Sequence, residues 1–242
     1  MQLASHRGWL AGGFRGCRMP FMLRAHRSIR PADLEMQWSA CSLAALAAVA
    51  FVSCSSPTDL NHDVCTGYPD PQTSAYVLPY PVGVSYPLWQ GNCSGQGHSG
   101  YWRYSYDFKM PIGSIVTAAR GGEVIYTRAI ERDDGPHDAN APPNLVFIQH
   151  DDSSMDVYSH LMHEGVRVTV GQVVQAGDTI ALSGNTGYTD NHPHLHFSVH
   201  GCRSVPGFED GPLCSALPVT FRNAQPQDGV LLQAHDYTAG PH

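Results

Sequence analysis

The chain has 242 residues, 42% of them hydrophobic and 14% charged, with 24 glycines, 18 prolines and a formal net charge of −7. Six of the 14 basic residues and two of the 21 acidic ones precede Cys54, which leaves 8 basic residues against 19 acidic ones and no basic stripe. Phosphate neutralisation needs clustered Lys and Arg, so a nucleic-acid partner is not expected, and the many turn formers with few charges favour short strands over long surface helices.

The first segment stands apart. Arg7, Arg15, Arg18, Arg24, Arg27 and Arg30 lead into CSLAALAAVAFVSC, shorter than the about 20 apolar residues a spanning helix needs and of the length of a signal-peptide core. Residues 1–54 therefore read as an Arg-rich lead and signal peptide, with export to the cell envelope as the consequence. The stretch FVSCSS resembles the lipobox of bacterial lipoproteins, which would make Cys54 a lipidated membrane anchor, although Phe51 stands where Leu is usual. A plain cleaved signal peptide or an uncleaved anchor is the alternative, and Met19, Met22 and Met36 are alternative starts.

Beyond it remain Cys65, Cys93, Cys202 and Cys214. An even set in an exported domain reads as disulfides, and proximity pairs Cys65 with Cys93 and Cys202 with Cys214. No C-x-x-C pair is present, so a cysteine zinc cluster is not expected. Residues 55–75 are rich in Pro, Ser and Asp and read as a linker, 76–223 as one domain, and 224–242 as a C-terminal tail.

From Tyr76 onward, short apolar or alternating runs follow one another: YSYDFKM, SIVTAA, GEVIYTRAI, NLVFIQH, MDVYSHL, VRVTV, TIALSG, HLHFSVH and LPVTF. Turn residues separate them, including Gly121-Gly122, Asp151-Asp152-Ser153, Gly171, Gly177 and the run Gly184-Asn185-Thr186-Gly187. Such spacing predicts an all-β barrel or sandwich, with no amphipathic helix competing. The polar, Pro-rich stretch from Glu131 to Pro143 predicts an exposed insertion bordering a cleft.

The chemistry concentrates in TGYTDNHPHLHFSVH. Residues two apart in a strand share a face, so His194 and His196 project together while Leu195 and Phe197 turn to the core. Pro193 cannot donate to a ladder, so regular pairing begins after it. In YSYDFKMP, Asp107 lies between aromatic residues, where an unpaired carboxylate would be costly and a metal would relieve the cost. In VYSHLMH, His160 ends a strand. Three segments thus each bring an ionisable group into an apolar pattern, as the ligands of a zinc site do before folding gathers them. His150 and His163 fall just beyond strand ends and read as solvated, His200 continues the alternation past His196 but falls at the strand exit, and Asn144 reads as a turn residue.

Taken together, YDFKMPIGSIVTAARGGEV, NLVFIQH, VYSHL, VTVGQVVQAGDTIALSGNTG and HPHLHF, in that order, resemble the lysostaphin-type (LytM-like) zinc metallopeptidases, which cut peptides of bacterial peptidoglycan. The resemblance runs from about Leu78 to Asn223. It implies an open antiparallel β barrel-sandwich hybrid, with Asp107 and His196 as ligands of Zn2+ and His160 and His194 flanking a metal-bound water. The family's commonest pattern places a histidine ligand four residues before the aspartate, where this chain has Arg103. His98, nine residues before Asp107, is the expected third ligand in a longer-spaced variant of the pattern. An Arg103 pointing into the site would instead oppose a cation.

With three ligands, zinc keeps a position for water and lowers its pKa to about 7. One of His160 and His194 then serves as general base and the other as donor. The resulting expectation is an exported zinc endopeptidase acting on peptidoglycan peptides. The alternative is a metal-free domain that binds peptidoglycan or activates another hydrolase. A biotinyl-like carrier would need a lysine at a hairpin tip, and the only lysine, Lys109, lies elsewhere.

Overall fold

The computed structural model describes residues 65–95, 97–201, 214–227 and 229–242. The expected signal segment with Cys54, and Cys202 of the second expected disulfide, lie outside the described residues. Eleven strands run in chain order: β1 (Ser85–Gln90), β2 (Tyr106–Phe108), β3 (Ile115–Thr117), β4 (Gly122–Arg128), β5 (Leu145–Gln149), β6 (Met155–Ser159), β7 (Val173–Val174), β8 (Thr179–Leu182), β9 (Leu195–His200), β10 (Ala224–Gln225) and β11 (Asp236–Ala239). Two short 3-10 turns, Pro71–Thr73 and Gly100–Trp102, are the only helical elements among the described residues.

Nine strands form one sheet in the order β10-β11-β1-β2-β9-β6-β5-β4-β7, and β3 pairs with β8 in a second. Every pairing is antiparallel. The architecture is the all-β one that the alternation of short runs predicts, and open and antiparallel as the family resemblance implies.

The pleat sorts the side chains onto two faces. On one lie Tyr106, Phe108, Leu195, Phe197, Tyr158, Val146 and Ile148, all fully buried within the main core. On the other, a smaller cluster of Leu145, Phe147, Met155 and Val157 packs with Trp102. That second face carries the polar residues of the central strands. Gln90 of β1 stands opposite Asp107 of β2, Asp107 opposite His196 of β9, and His196 opposite Ser159 of β6. A single transverse row of the sheet therefore holds Gln90, Asp107, His196 and Ser159.

Several segments differ from expectation. Residues 224–242, read as a tail, supply β10 and β11, and β11 pairs with β1 through Ser85, Tyr86 and Pro87. Tyr237 is the one large apolar residue of β11 and is fully buried, which is why no alternation announces the strand. The described part of the linker, 65–75, is docked: Cys65 is joined to Cys93, and the Ser74 hydroxyl donates to the Thr220 carbonyl. The runs VRVTV and LPVTF make only isolated main-chain bonds, such as Arg167 to Ile180 and Leu217 to Val199, and form no strands.

His150 is not solvated. Its ring turns under the sheet, where Nδ1 donates to the Gly121 carbonyl at 2.9 Å and Nε2 lies 2.9 Å from Asp156 Oδ1, with both side chains fully buried. Asp156 also accepts from the Tyr158 hydroxyl at 2.9 Å. His200, last residue of β9, is likewise fully buried, and its Nδ1 donates to the Cys214 carbonyl. His163 is half-buried, tied through its main-chain N–H to Asp133.

Candidate metal centre

Asp107 and His196 reach the same point because they are direct partners in the β2–β9 ladder, with Tyr106, Phe108, Leu195 and Phe197 anchoring the opposite face. His196 Nδ1 lies 2.8 Å from Asp107 Oδ1. His98 arrives from the loop after β1, is buried, and places Nε2 3.2 Å from the same oxygen. These three residues offer one ligand atom each, all within 4.8 Å of one another.

The residues present fit a metal on physical grounds. His98 Nδ1 donates to the Gly91 carbonyl at 2.8 Å, which leaves the lone pair of a neutral ring on Nε2. That lone pair faces a carboxylate oxygen, and the buried Nε2 has no hydrogen-bond partner. A cation between the two, a metal ion or a proton on the ring, satisfies both. Two imidazoles and one carboxylate are also a ligand set that zinc takes, at bonds of about 2.0–2.2 Å. A tetrahedron with such bonds has edges of roughly 3.3 Å, close to the observed separations of 3.2 and 2.8 Å.

His160 and His194 stand beside this cluster. His160 follows the end of β6 with φ 62, a conformation uncommon outside glycine, which turns its ring away from the strand's alternation and into the cleft. Two contacts hold it there. Its carbonyl accepts from the Gly184 N–H at 2.9 Å, and its Nδ1 donates to the Thr186 carbonyl at 2.7 Å. A Cβ on Gly184 would collide with the Met162 backbone and the Asp133 carboxylate, so this turn needs glycine. His194 Nδ1 donates to the His192 carbonyl at 2.7 Å, and its ring lies 4.6 Å from that of His160. Both rings therefore have Nε2 free of main-chain bonds.

Burial and neighbouring charge act on these groups in opposite senses. Burial opposes ionisation of Asp107, but His194, His98 and His196 outweigh it and hold the carboxyl well below the usual range. Burial disfavours the charged form of His98, yet Asp107 wins and raises its pKa. Burial, joined by the His194 and His196 rings, pushes His160 well down. For His196, burial outweighs the attraction of Asp107 and lowers the pKa.

The cluster floors an open cleft lined by Trp89, Trp102, Pro143, Tyr188 and Thr189, among others. The Glu131–Pro143 insertion borders it through Ala139, Ala141 and Pro143, as the sequence predicts. Asp133 of that insertion accepts from the Asn185 N–H at 2.7 Å, pinning the insertion to the turn that holds His160. Trp89 packs against the rings of His192 and His194, and Trp102 against those of His196 and His200. Sequence reasoning missed both tryptophans. The alternation of buried Leu88 with half-exposed Trp89 in β1 was the available signal.

Arg103 does not enter the cleft. Its guanidinium lies over the Tyr104 ring, 5.4 Å from the centroid. Asn144 is a bracket for loops: its side chain accepts from the Glu131 N–H and donates to the Glu131 and Leu161 carbonyls.

Residues 102–206 match the family described as Peptidase family M23. The matched range includes Asp107, His160, His194 and His196 and begins just after His98. Peptidoglycan DD-endopeptidase ShyA of Vibrio cholerae is 40% identical over 95 residues, 38% of this chain and 19% of that protein. Lysostaphin of Staphylococcus simulans is 29% identical over 140 residues, 58% of this chain and 23% of that protein. The matched part thus spans only about a fifth of each relative's length. Among solved structures, a zinc containing peptidase from Vibrio cholerae aligns with 52% of this chain and 37% of its own, at 30% identity and a TM-score of 0.39. Over residues 102–206 this chain is therefore similar to peptidase family M23, in keeping with the lysostaphin-type, LytM-like pattern of its sequence.

Proposed function

We propose that this protein is an exported zinc endopeptidase that hydrolyses peptide bonds in peptidoglycan cross-links or stem peptides. The observation that carries the proposal is the meeting of His98 Nε2, Asp107 Oδ1 and His196 Nδ1 at the floor of an open cleft. Its substrate class is supported by relatives such as ShyA, named as a peptidoglycan endopeptidase. Export is supported by the signal-like segment, with Cys54 as the proposed point of membrane attachment.

In this reading His98, Asp107 and His196 are the zinc ligands. Zinc bound there supplies Lewis acidity toward the scissile carbonyl and makes water a competent nucleophile near neutral pH. The chain's own residues do the rest. His160, its Nδ1 proton engaged by Thr186, presents an unprotonated Nε2 that takes up the proton of the attacking water. His194, held in the same sense by His192, is the second proton carrier, donating from Nε2 once charged. Trp89 and Tyr188 present apolar walls that seat an extended peptide and exclude water around it. Arg103, turned onto Tyr104, supports this reading over the metal-free alternative.

The test is hydrolysis of purified sacculi by zinc-loaded protein, followed by chromatography of the soluble fragments. Wild-type protein should release peptide-bearing fragments and His196→Ala should release none while unfolding at a similar temperature. Undiminished release by His196→Ala, or intact sacculi with the wild type, would rule the proposal out.

A further inference from the structure

We propose that the Cys65–Cys93 disulfide is a positioning element of the metal centre, holding the loop after β1 so that His98 faces Asp107. The inference rests on the metal reading above. Asp107 and His196 lie on paired strands, and the ladder alone fixes them. His98 is different: it comes from a loop. That loop carries Gly95, Gly97 and Gly100, all with positive φ, and a Cβ at any of them would meet nothing within 4 Å. Such a segment has little packing to offset the entropy of fixing its backbone.

Beside internal bonds such as Ser94 to the Gly91 carbonyl and the His98 N–H to the Gly95 carbonyl, it is restrained by the segment entering from Cys65. Cys93 is bonded to Cys65 across 28 residues, and its φ of 53 is one that a non-glycine residue keeps only where its surroundings impose it. Its N–H donates to the Arg103 carbonyl at 2.7 Å. On either side of the disulfide, Asn92 donates to the Tyr68 hydroxyl and the Tyr104 hydroxyl to the Thr66 carbonyl, both at 2.9 Å. The Tyr68 and Tyr104 rings meet edge to face. Two residues before Cys93, the Gly91 carbonyl receives the His98 Nδ1 proton, and that contact sets both the tautomer and the direction of the ring. A displacement of Cys93 therefore moves the carbonyl that aims His98.

The experiment measures zinc affinity of the full chain by competition with a chromophoric chelator. Cys65→Ser/Cys93→Ser should bind zinc at least about tenfold more weakly than wild type, the loss expected when a ligand's supporting partner is removed. In a His98→Ala background the same pair of substitutions should leave the affinity within about twofold, because both changes act through one ligand. Equal weakening in both backgrounds would show a general structural role and overturn the proposal. So would unchanged affinity of the double variant. Wild-type protein that takes up no zinc would overturn the metal reading itself, a distinct failure. Should the double variant not fold, native protein is treated with reductant and alkylating agent, and zinc release is followed against modification of Cys65 and Cys93 by mass spectrometry. Release in step with modification supports the proposal, and zinc retained by molecules alkylated at both positions contradicts it.

Discussion

Asp107 and His196 are cross-strand neighbours in the β2–β9 ladder, and their side chains meet at 2.8 Å between Oδ1 and Nδ1. The contact is fixed by register, because the apolar residues flanking each of them are locked into the core on the opposite face. A slip of one residue would bury the histidine and expose Phe197. The site is thus as rigid as the sheet, with the loop-borne His98 as the exception.

Asp107→Asn keeps the shape of the side chain and removes its charge. Zinc uptake should fall by more than the about 10–100-fold typical of losing a group behind a ligand, and hydrolysis should fall with it. Elemental analysis after dialysis against excess zinc, beside turnover on sacculi, checks this. A variant retaining full stoichiometric zinc would speak against Asp107 as a ligand.

His160→Ala should separate chemistry from metal binding. Zinc affinity should stay near the wild-type value while turnover drops by about 10²–10⁴-fold, the range for a general base. Parallel chelator titrations and steady-state assays decide it. Loss of zinc in step with activity would place His160 among the ligands instead.

Gly184→Ala addresses the turn that aims His160. A methyl group there has no room beside the Met162 backbone and the Asp133 carboxylate, so stability should fall by roughly 1–3 kcal/mol, the usual cost of forced overpacking. Thermal unfolding monitored by circular dichroism reads the shift. An unchanged midpoint would mean that the turn yields without cost.

His150 and Asp156 form a buried pair remote from the cleft. Burial works against a charged His150, but Asp156 prevails and raises its pKa. A folded-state pKa above the unfolded value of about 6.5 means stabilisation that is complete below that pH and lost as pH climbs through the folded value. His150→Gln should cost roughly 3–5 kcal/mol near pH 6, as expected when one partner of a buried pair is removed. The difference from wild type should shrink as pH rises from about 6.5 through the folded value. Urea unfolding of both proteins across that range measures it, and a gap that widens with pH would contradict the assignment.

The sequence made most of the site readable because period-two alternation and metal chemistry point the same way. Leu195 and Phe197 had to face the core, so His194 and His196 had to face away, and Asp107 between Tyr106 and Phe108 follows the same logic. His98 was accessible only through the family resemblance, since nothing in a Gly-rich loop declares where a side chain will point. The second disulfide of the sequence reading includes Cys202, outside the described residues. His150 was misjudged because it stands just past a strand end, and a residue at a strand exit more often meets solvent than a buried partner. The hairpin turn sends the Asp151 and Asp152 carboxylates outward to Arg120 and folds the imidazole inward to Asp156. β11 was hidden because its run, Asp236 to Ala239, carries a single large apolar residue. Trp102 belongs to the same class of omission, since its place over His196 and His200 depends on how its loop folds across the sheet.

The most direct test of the central claim is an anomalous-scattering map recorded at the zinc edge from crystals of the zinc-loaded protein. The account predicts one strong peak at about 2.0–2.2 Å from His98 Nε2, Asp107 Oδ1 and His196 Nδ1. A map with no peak among these atoms, or with zinc bound at His160 and His194 while Asp107 stays unligated, would contradict it.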